Sequence, residues 1–251
     1  MLRHTDLLLP EWPVPAHVRA ITTTRHGGVS VAPWYSLNLA ERVADDMRNV
    51  QRNRQILSTF LDFPHEPVWL QQVHGSNVAV ADAYADQPCD AGVTRQEKIP
   101  CAVLTADCLP VLLTDCPGTV VAAAHAGWRS LAAGVLENTI NSMSVPASAV
   151  LAWMGPAIGP KNFMVGKDVY QTFTDFSAEA DKAFTAIDGS YWLCDIYRLA
   201  RQRLNAIGVT RIYGGGRCTY EEQDSFYSFR RDGITGRMAS LIWLNRDTGV
   251  P

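Results

Sequence analysis

Three residues of metal-ligand type stand at the ends of apolar, strand-like runs. They are His74 in QQVHGSN, Cys108 in TADCLP and His125 in AAAHAGWRS, with His125 seventeen positions after Cys108 and fifty-one after His74. Two imidazoles and a thiolate suit a borderline-soft divalent ion, zinc above all. Three protein ligands instead of four leave a coordination position for water or substrate, as catalytic sites require. Each of the three interrupts apolar sequence, and buried polar groups need partners, so one shared ion would satisfy them together. A closed structural site would need a fourth ligand, which Cys89, Cys101, Cys116, Cys194 or Cys218 could supply. Cys101 and Cys116 lie in or beside strand-like runs and read as small core residues. Cys218, in GGGRCTYEE, sits among glycines in a loop and is a candidate both for a cavity-facing thiol and for a structural one.

Other residue types extend the candidate site. Asp107, next to Cys108, reads as an acid/base, as a carboxylate that orients a ligand imidazole, or as a plain turn residue. Arg129 falls near an expected helix start, where backbone N–H groups and a guanidinium together hold phosphate, though a solvated first-turn arginine looks the same in sequence. DSFYSFRRDGITGR sets Phe226, Tyr227 and Phe229 beside Arg230, Arg231 and Arg237, a mixture suited to stacking a flat ring and clamping an anion. Alternating strand residues with polar caps account for that segment equally well.

The elements that must position these side chains are legible in outline. RAITTT (19–24) is a strand by its β-branched residues, and RHGGVS after it is a turn that projects Arg25 and His26, with Gly27 and Gly28 suited to positive φ. Met47, Val50, Ile56, Leu57, Phe60 and Leu61 recur at helical spacing, with Asp45 or Asp46 as the cap. The period then changes: PVWLQQV, NVAVA, CAVLT, LPVLLT and TVVAAA are short β-rich runs separated by HGSN, ADC and DCPG. This is the expected sheet core, and the three ligand candidates lie within it. AGWRSLAAGVLENTINSM predicts one helix, with Ser130 as a capping candidate, Leu131, Val135, Leu136 and Ile140 inward, and Gly127 permitting close approach at its start. A strand at 149–154, a GPAIGP loop, two short helical stretches in 166–187, a strand at YWLC, a helix from Asp195 to Ile207 and strands near VTRIYGG and MASLIWL complete the chain. Strands and helices mix without strict βαβ alternation, which predicts an α+β fold with mixed β-sheets in a single domain over 1–251.

Bulk properties exclude several function classes. The 251 residues are 47% hydrophobic and 19% charged, enough for a large buried core, and the formal net charge of −3 lacks the basic footprint of a nucleic-acid binder. Apolar stretches are cut well before the ~18 residues of a membrane span. Three leucines between Asp6 and Pro10 are too few for a secretory core, and the six cysteines show no small-domain disulfide pattern, so a cytoplasmic protein with reduced thiols and no membrane partner is expected.

TADCLPVLL, AAAHAGWRSLAAGV, WMGPAIGP and FYSFRRDG…TGR, with TRHGGVS and SLNL upstream, resemble the YfiH-type laccase-domain family from about residue 20 to 244. The resemblance implies a layered α/β/β/α sandwich and a zinc ion held by His74, Cys108 and His125. It also implies phosphorolysis of adenosine, inosine, guanosine and methylthioadenosine to free base and ribose 1-phosphate, with some adenosine deamination. The partners would then be a purine nucleoside and phosphate. One open ion suits both reactions, since it can orient phosphate toward the ribose C1′ or acidify water for attack on the adenine C6. Arg129 and Arg230 would position anionic groups, Asp107 would handle a proton, and Cys218 is a further catalytic candidate. Copper stays open as an alternative ion in vitro. Copper oxidation of phenols is disfavoured, because a type 1 plus a trinuclear site takes about ten histidine ligands and the chain has six histidines.

Three competing readings remain. Cys108 as nucleophile and His125 as base would make a metal-independent cysteine hydrolase or deamidase, in which His74 has no primary duty. A peptidoglycan-precursor editing role has also been attached to the family. A non-enzymatic metal or nucleotide sensor would use the same pocket for binding only.

Overall fold

The computed structural model describes residues 2–64, 66–80 and 87–246. In chain order the elements are β1 (Leu7–Leu8), β2 (Val18–Thr23), α1 (Met47–Phe60), β3 (Val68–Trp69), β4 (Val78–Val80), β5 (Ala91–Thr94) and β6 (Cys101–Thr105). Next come β7 (Leu109–Asp115), β8 (Val121–Ala126), α2 (Trp128–Ala132), α3 (Val135–Met143), β9 (Val150–Met154), β10 (Met164–Gly166) and α4 (Lys167–Thr174). The chain continues through β11 (Phe184–Ala186), β12 (Tyr191–Cys194), α5 (Ile196–Ala206), β13 (Arg211–Gly214), α6 (Phe229–Asp232) and β14 (Met238–Leu244).

Two mixed sheets carry the fold. One has the order β1-β2-β14-β6-β3 and the other β13-β9-β7-β8-β5-β4; a small sheet, β10-β12-β11, stands apart. Period-2 alternation decides which layer each strand residue joins. Cys101, Val103, Ile242 and Leu244 of the first sheet meet Leu112, Val121, Ala123 and Trp153 of the second in the central layer. Their strand neighbours face outward. Ala102, Leu241 and Trp243 pack with Leu57 of α1, while Val111, Leu113, Ala122 and Ala124 pack with Leu131, Leu136, Ile140 and Leu199 of the helices opposite. The result is an α/β/β/α layered sandwich, as the resemblance implied.

Local chemistry sets the helix ends. Asp46 caps α1 by accepting from the Arg48 N–H, and Asp195 caps α5 by accepting from the Arg198 N–H. The segment after His125 differs from expectation: it is two helices, broken at Gly134, whose φ of 88° places it in the left-handed region. Ser130 is correspondingly a buried residue inside α2 and not a cap. Of the paired glycines only Gly27 has positive φ; a Cβ on Gly28 would collide with the Ser36 carbonyl oxygen, so that position needs glycine for space.

The sheet order fixes where chemistry can gather. The chain passes from the first sheet to the second between β3 and β4, and again between β6 and β7. His74 lies in the first crossing and Cys108 in the second. The β7–β8 hairpin, pairing Leu109 with Ala126 and Pro110 with His125, returns the chain to the same end seventeen residues later. The spacing of Cys108 and His125 is therefore the length of one hairpin.

Candidate metal centre

His74, Cys108 and His125 each offer one ligand atom, and these atoms lie within 4.8 Å of one another; among the described residues no other group of three is close enough to hold an ion. The His74 Nε2 atom is 3.8 Å from Cys108 Sγ. Zinc bonds of about 2.0–2.1 Å to nitrogen and 2.3 Å to sulfur, at tetrahedral angles, put donors roughly 3.3–3.7 Å apart, so the His74–Cys108 pair is close to that spacing and the set could hold a small divalent ion once its widest separation contracts. The two rings meet edge to face with centroids 4.8 Å apart. His125 is buried, Cys108 half-buried and His74 exposed, which leaves the open side toward solvent.

Asp90, which the sequence reading did not single out, organises this group. It is the residue before β5, wholly buried, and faces His125 across the β5–β8 ladder, where the His125 backbone N–H also donates to its carbonyl. Its Oδ1 lies 2.8 Å from His125 Nδ1. A carboxylate can only accept, so Nδ1 carries the proton and Nε2 is the nitrogen turned to the site and able to ligate an ion. The same carboxylate accepts from the backbone N–H groups of Val73, His74 and Gly75. These bonds hold His74 at a φ of 61°, a left-handed conformation unusual for a residue with a side chain. The signal that could have found Asp90 is the need of a ligand imidazole for an acceptor at its second nitrogen.

The protonation balance follows from the same contacts. Burial presses the Cys108 thiol upward, but the facing His125 and then His74 bring it down to about 6. Burial disfavours a charged His125, yet the Cys108 thiolate and the Asp90 carboxylate raise it to about 9. Burial works against ionised Asp90, and the bonds from His125, Gly75 and Val73 still hold it below the usual carboxylate range. Without an ion, Cys108 and His125 therefore form a thiolate–imidazolium pair.

The centre opens into a cleft of about 610 Å³, in the size range of small-molecule sites. Leu70, Leu104, Trp69 and Phe229 line it with apolar surface. Gln72 locks one wall: its side-chain amide exchanges two hydrogen bonds with the backbone of Leu104 in β6. Gly127 keeps the floor clear, since a Cβ there would lie 2.8 Å from Cys108 Sγ and 3.3 Å from His74 Cδ2.

The other sequence candidates lie elsewhere. Asp107 is buried, with φ 86°; its two oxygens accept from the Thr219 hydroxyl and the Arg230 backbone N–H, and it does not line the cleft. Arg129 is exposed and stacks on the Trp128 ring. Arg230 donates to the Met164 carbonyl. The Cys218 thiol is buried and accepts from the Gly159 N–H. In the aromatic segment, Phe226 and Tyr227 are fully buried, packed with Ala106 and Met238, and so are unavailable for stacking a ligand. Phe229 and Arg237 alone of that segment reach the cleft.

The profile of the family described as multi-copper polyphenol oxidoreductase laccase matches residues 19–245. The chain belongs to this family. Within the laccase-domain family, it is 50% identical over 242 residues to the Escherichia coli (strain K12) protein named purine nucleoside phosphorylase YfiH, covering 96% of this chain and 99% of that one. It is 52% identical over 238 residues to the Pseudomonas aeruginosa protein named purine nucleoside phosphorylase PA4543, covering 94% and 98%. The crystal structure of Neisseria meningitidis protein NMB0706 superposes with a TM-score of 0.93 at 48% identity, covering 96% and 99%. That of YlmD from Geobacillus stearothermophilus gives 0.88 at 30%, covering 98% of each. No described helix of this laccase-domain chain is long and apolar enough to cross a membrane.

Proposed function

We propose that the chain is a zinc-dependent purine nucleoside phosphorylase of the cytoplasm, with adenosine deamination as a side activity. What carries the reading is the open His74–Cys108–His125 centre at the floor of the cleft, in a chain about half identical to relatives that bear this activity in their names. The six cysteines, all free, agree with a reducing compartment.

His74, Cys108 and His125 would hold the ion, which supplies Lewis acidity at the cleft when bound. Asp90 keeps the proton of His125 on Nδ1, so the ring presents a single orientation. Phe229, 59% exposed at the cleft, offers an aromatic face on which a purine can stack, and Leu70 and Leu104 remove water from around the ribose. Asp107 ties the Cys108 crossing to Thr219 and α6, which fixes the cleft wall relative to Phe229.

Incubation of zinc-loaded protein with inosine and phosphate should release hypoxanthine and ribose 1-phosphate, and His74→Ala should lose both bound metal and turnover. A second reading has its own support: Cys108, His125 and Asp90 are in line as a nucleophile, base and orienting carboxylate. Metal-free protein that hydrolyses an amide, with His74→Ala retaining that activity, would establish this thiol hydrolase and defeat the zinc enzyme.

A further inference from the structure

We propose that Arg237 is the residue that holds the phosphate co-substrate, beside Cys108 in the cleft. The proposal rests on the phosphorylase reading above and adds the position of its second substrate.

Four charged side chains besides the metal-ligand group line the cleft: Glu41, Arg42, Arg54 and Arg237. Three cations against one carboxylate is a local excess of positive charge in a chain whose formal net charge is −3. Arg54 is neutralised, since its Nη1 is 2.7 Å from Glu41 and 3.8 Å from Glu66, and its guanidinium covers the Trp69 ring. Arg42 is exposed at the rim. Arg237 is half-buried, and none of the ion pairs among the described residues includes it. Burial works against its charged form, while the Cys108 and Asp107 charges favour that form without pairing with it directly. A guanidinium taken partly out of water with no carboxylate in contact is a socket for an anion.

Its geometry fits a tetrahedral oxyanion. Nη1 donates to the carbonyls of Thr235 and Gly236, both at 2.9 Å, which pins the plane of the group. Nε and Nη2 make no hydrogen bond to any described residue. Those two nitrogens form the side-on edge of the guanidinium, two parallel donors that match two oxygens of a phosphate. The position is imposed by the sheet: Arg237 precedes β14, whose Met238 pairs with Thr105 of β6, so it sits alongside the Ala106–Cys108 crossing. Its guanidinium lies over one face of the Phe229 ring, 5.8 Å from the centroid, so the anion socket adjoins the exposed ring and the base would stack on the part the guanidinium leaves open. Arg129 and Arg230, the arginines suggested by sequence, stack on Trp128 and bond Met164 outside the cleft.

In the reaction, an oxygen of hydrogen phosphate bonds to the ribose C1′ and the C1′–N9 bond breaks. The electron pair of that bond stays on N9, and the proton carried by hydrogen phosphate ends on the purine. Nucleoside and hydrogen phosphate thus give purine and ribose 1-phosphate without any further reactant.

The test compares zinc-loaded wild type with Arg237→Ala and Arg237→Lys. The expected result is a KM for phosphate raised about tenfold or more in Arg237→Ala, with lysine in between, the KM for inosine changed less than about threefold, and zinc content kept. An unchanged phosphate KM, or a tenfold rise produced instead by Arg230→Ala, overturns the assignment. Wild-type protein supplies a readout independent of turnover and of the variants' folding. Inorganic phosphate should protect Arg237 from an arginine-specific dicarbonyl reagent, read by peptide mapping, and protection confined to other arginines overturns the proposal. Protection of Arg237 in a protein that does not cleave nucleosides would locate the fault in the phosphorylase reading and leave the anion site standing.

Discussion

Asp90 and His125 face each other across the β5–β8 ladder, both buried, with carboxylate oxygen and ring nitrogen 2.8 Å apart. Because the same carboxylate accepts three backbone N–H groups around His74, one side chain sets the posture of two candidate ligands that are fifty-one residues apart. Asp90→Asn would turn an N–H toward donors it cannot satisfy. Metal affinity should fall by about 10–100-fold, measured by competition with a chromogenic chelator. An affinity within twofold of wild type would show that the ligands orient without it.

Gly127 tests whether space at the centre is as necessary as donors. Its φ of −57° suits alanine, so Gly127→Ala should fold, with a destabilisation of about 1–3 kcal/mol from overpacking. The added Cβ, at 2.8 Å from Cys108 Sγ, should displace the thiolate and lower metal content and turnover together. Stoichiometric zinc with wild-type kcat in this variant would refute the crowding argument.

The His74–Cys108–His125 cluster was legible because His and Cys interrupted apolar runs, and the two-sheet core was legible because Leu112, Ala102 and Ile242 alternate with neighbours of the opposite layer. Asp90 was not. An aspartate before a strand looks like any turn residue, and its role exists only through the β5–β8 register. Arg237 was hidden for a similar reason: sequence places three arginines in one segment, and only the α6 turn and the β14 pairing decide which of them enters the cleft. The break at Gly134 escaped because the apolar periodicity of Leu131, Val135 and Leu136 runs straight through it.

The metal-free protein should carry an unusually acidic thiol. With Cys108 brought down to about 6 from 9.0, the thiolate fraction rises as pH increases through about 6, so alkylation by iodoacetamide should be half-maximal there and flat above pH 8. Cys108→Ser should abolish that fast phase, and added zinc should suppress it. A rate still climbing between pH 8 and 9 would mean that His125 and His74 do not stabilise the thiolate.

Asp107 separates a proton-transfer role from a positioning one. Both of its oxygens are engaged, by Thr219 and by the Arg230 backbone N–H, and it lies beside the cleft without lining it. Asp107→Asn keeps the size and tolerance of positive φ but leaves one buried donor facing another, at a cost of about 1–3 kcal/mol. At about 2–4 °C per kcal/mol for a chain of this size, the thermal midpoint should drop by several degrees. The pH–rate profile should keep its shape, with kcat lowered uniformly through displacement of the adjacent Cys108. If instead one limb of the profile disappears while the midpoint is unchanged, Asp107 exchanges a proton with substrate, and the hydrogen bonds to Thr219 and Arg230 must open during turnover.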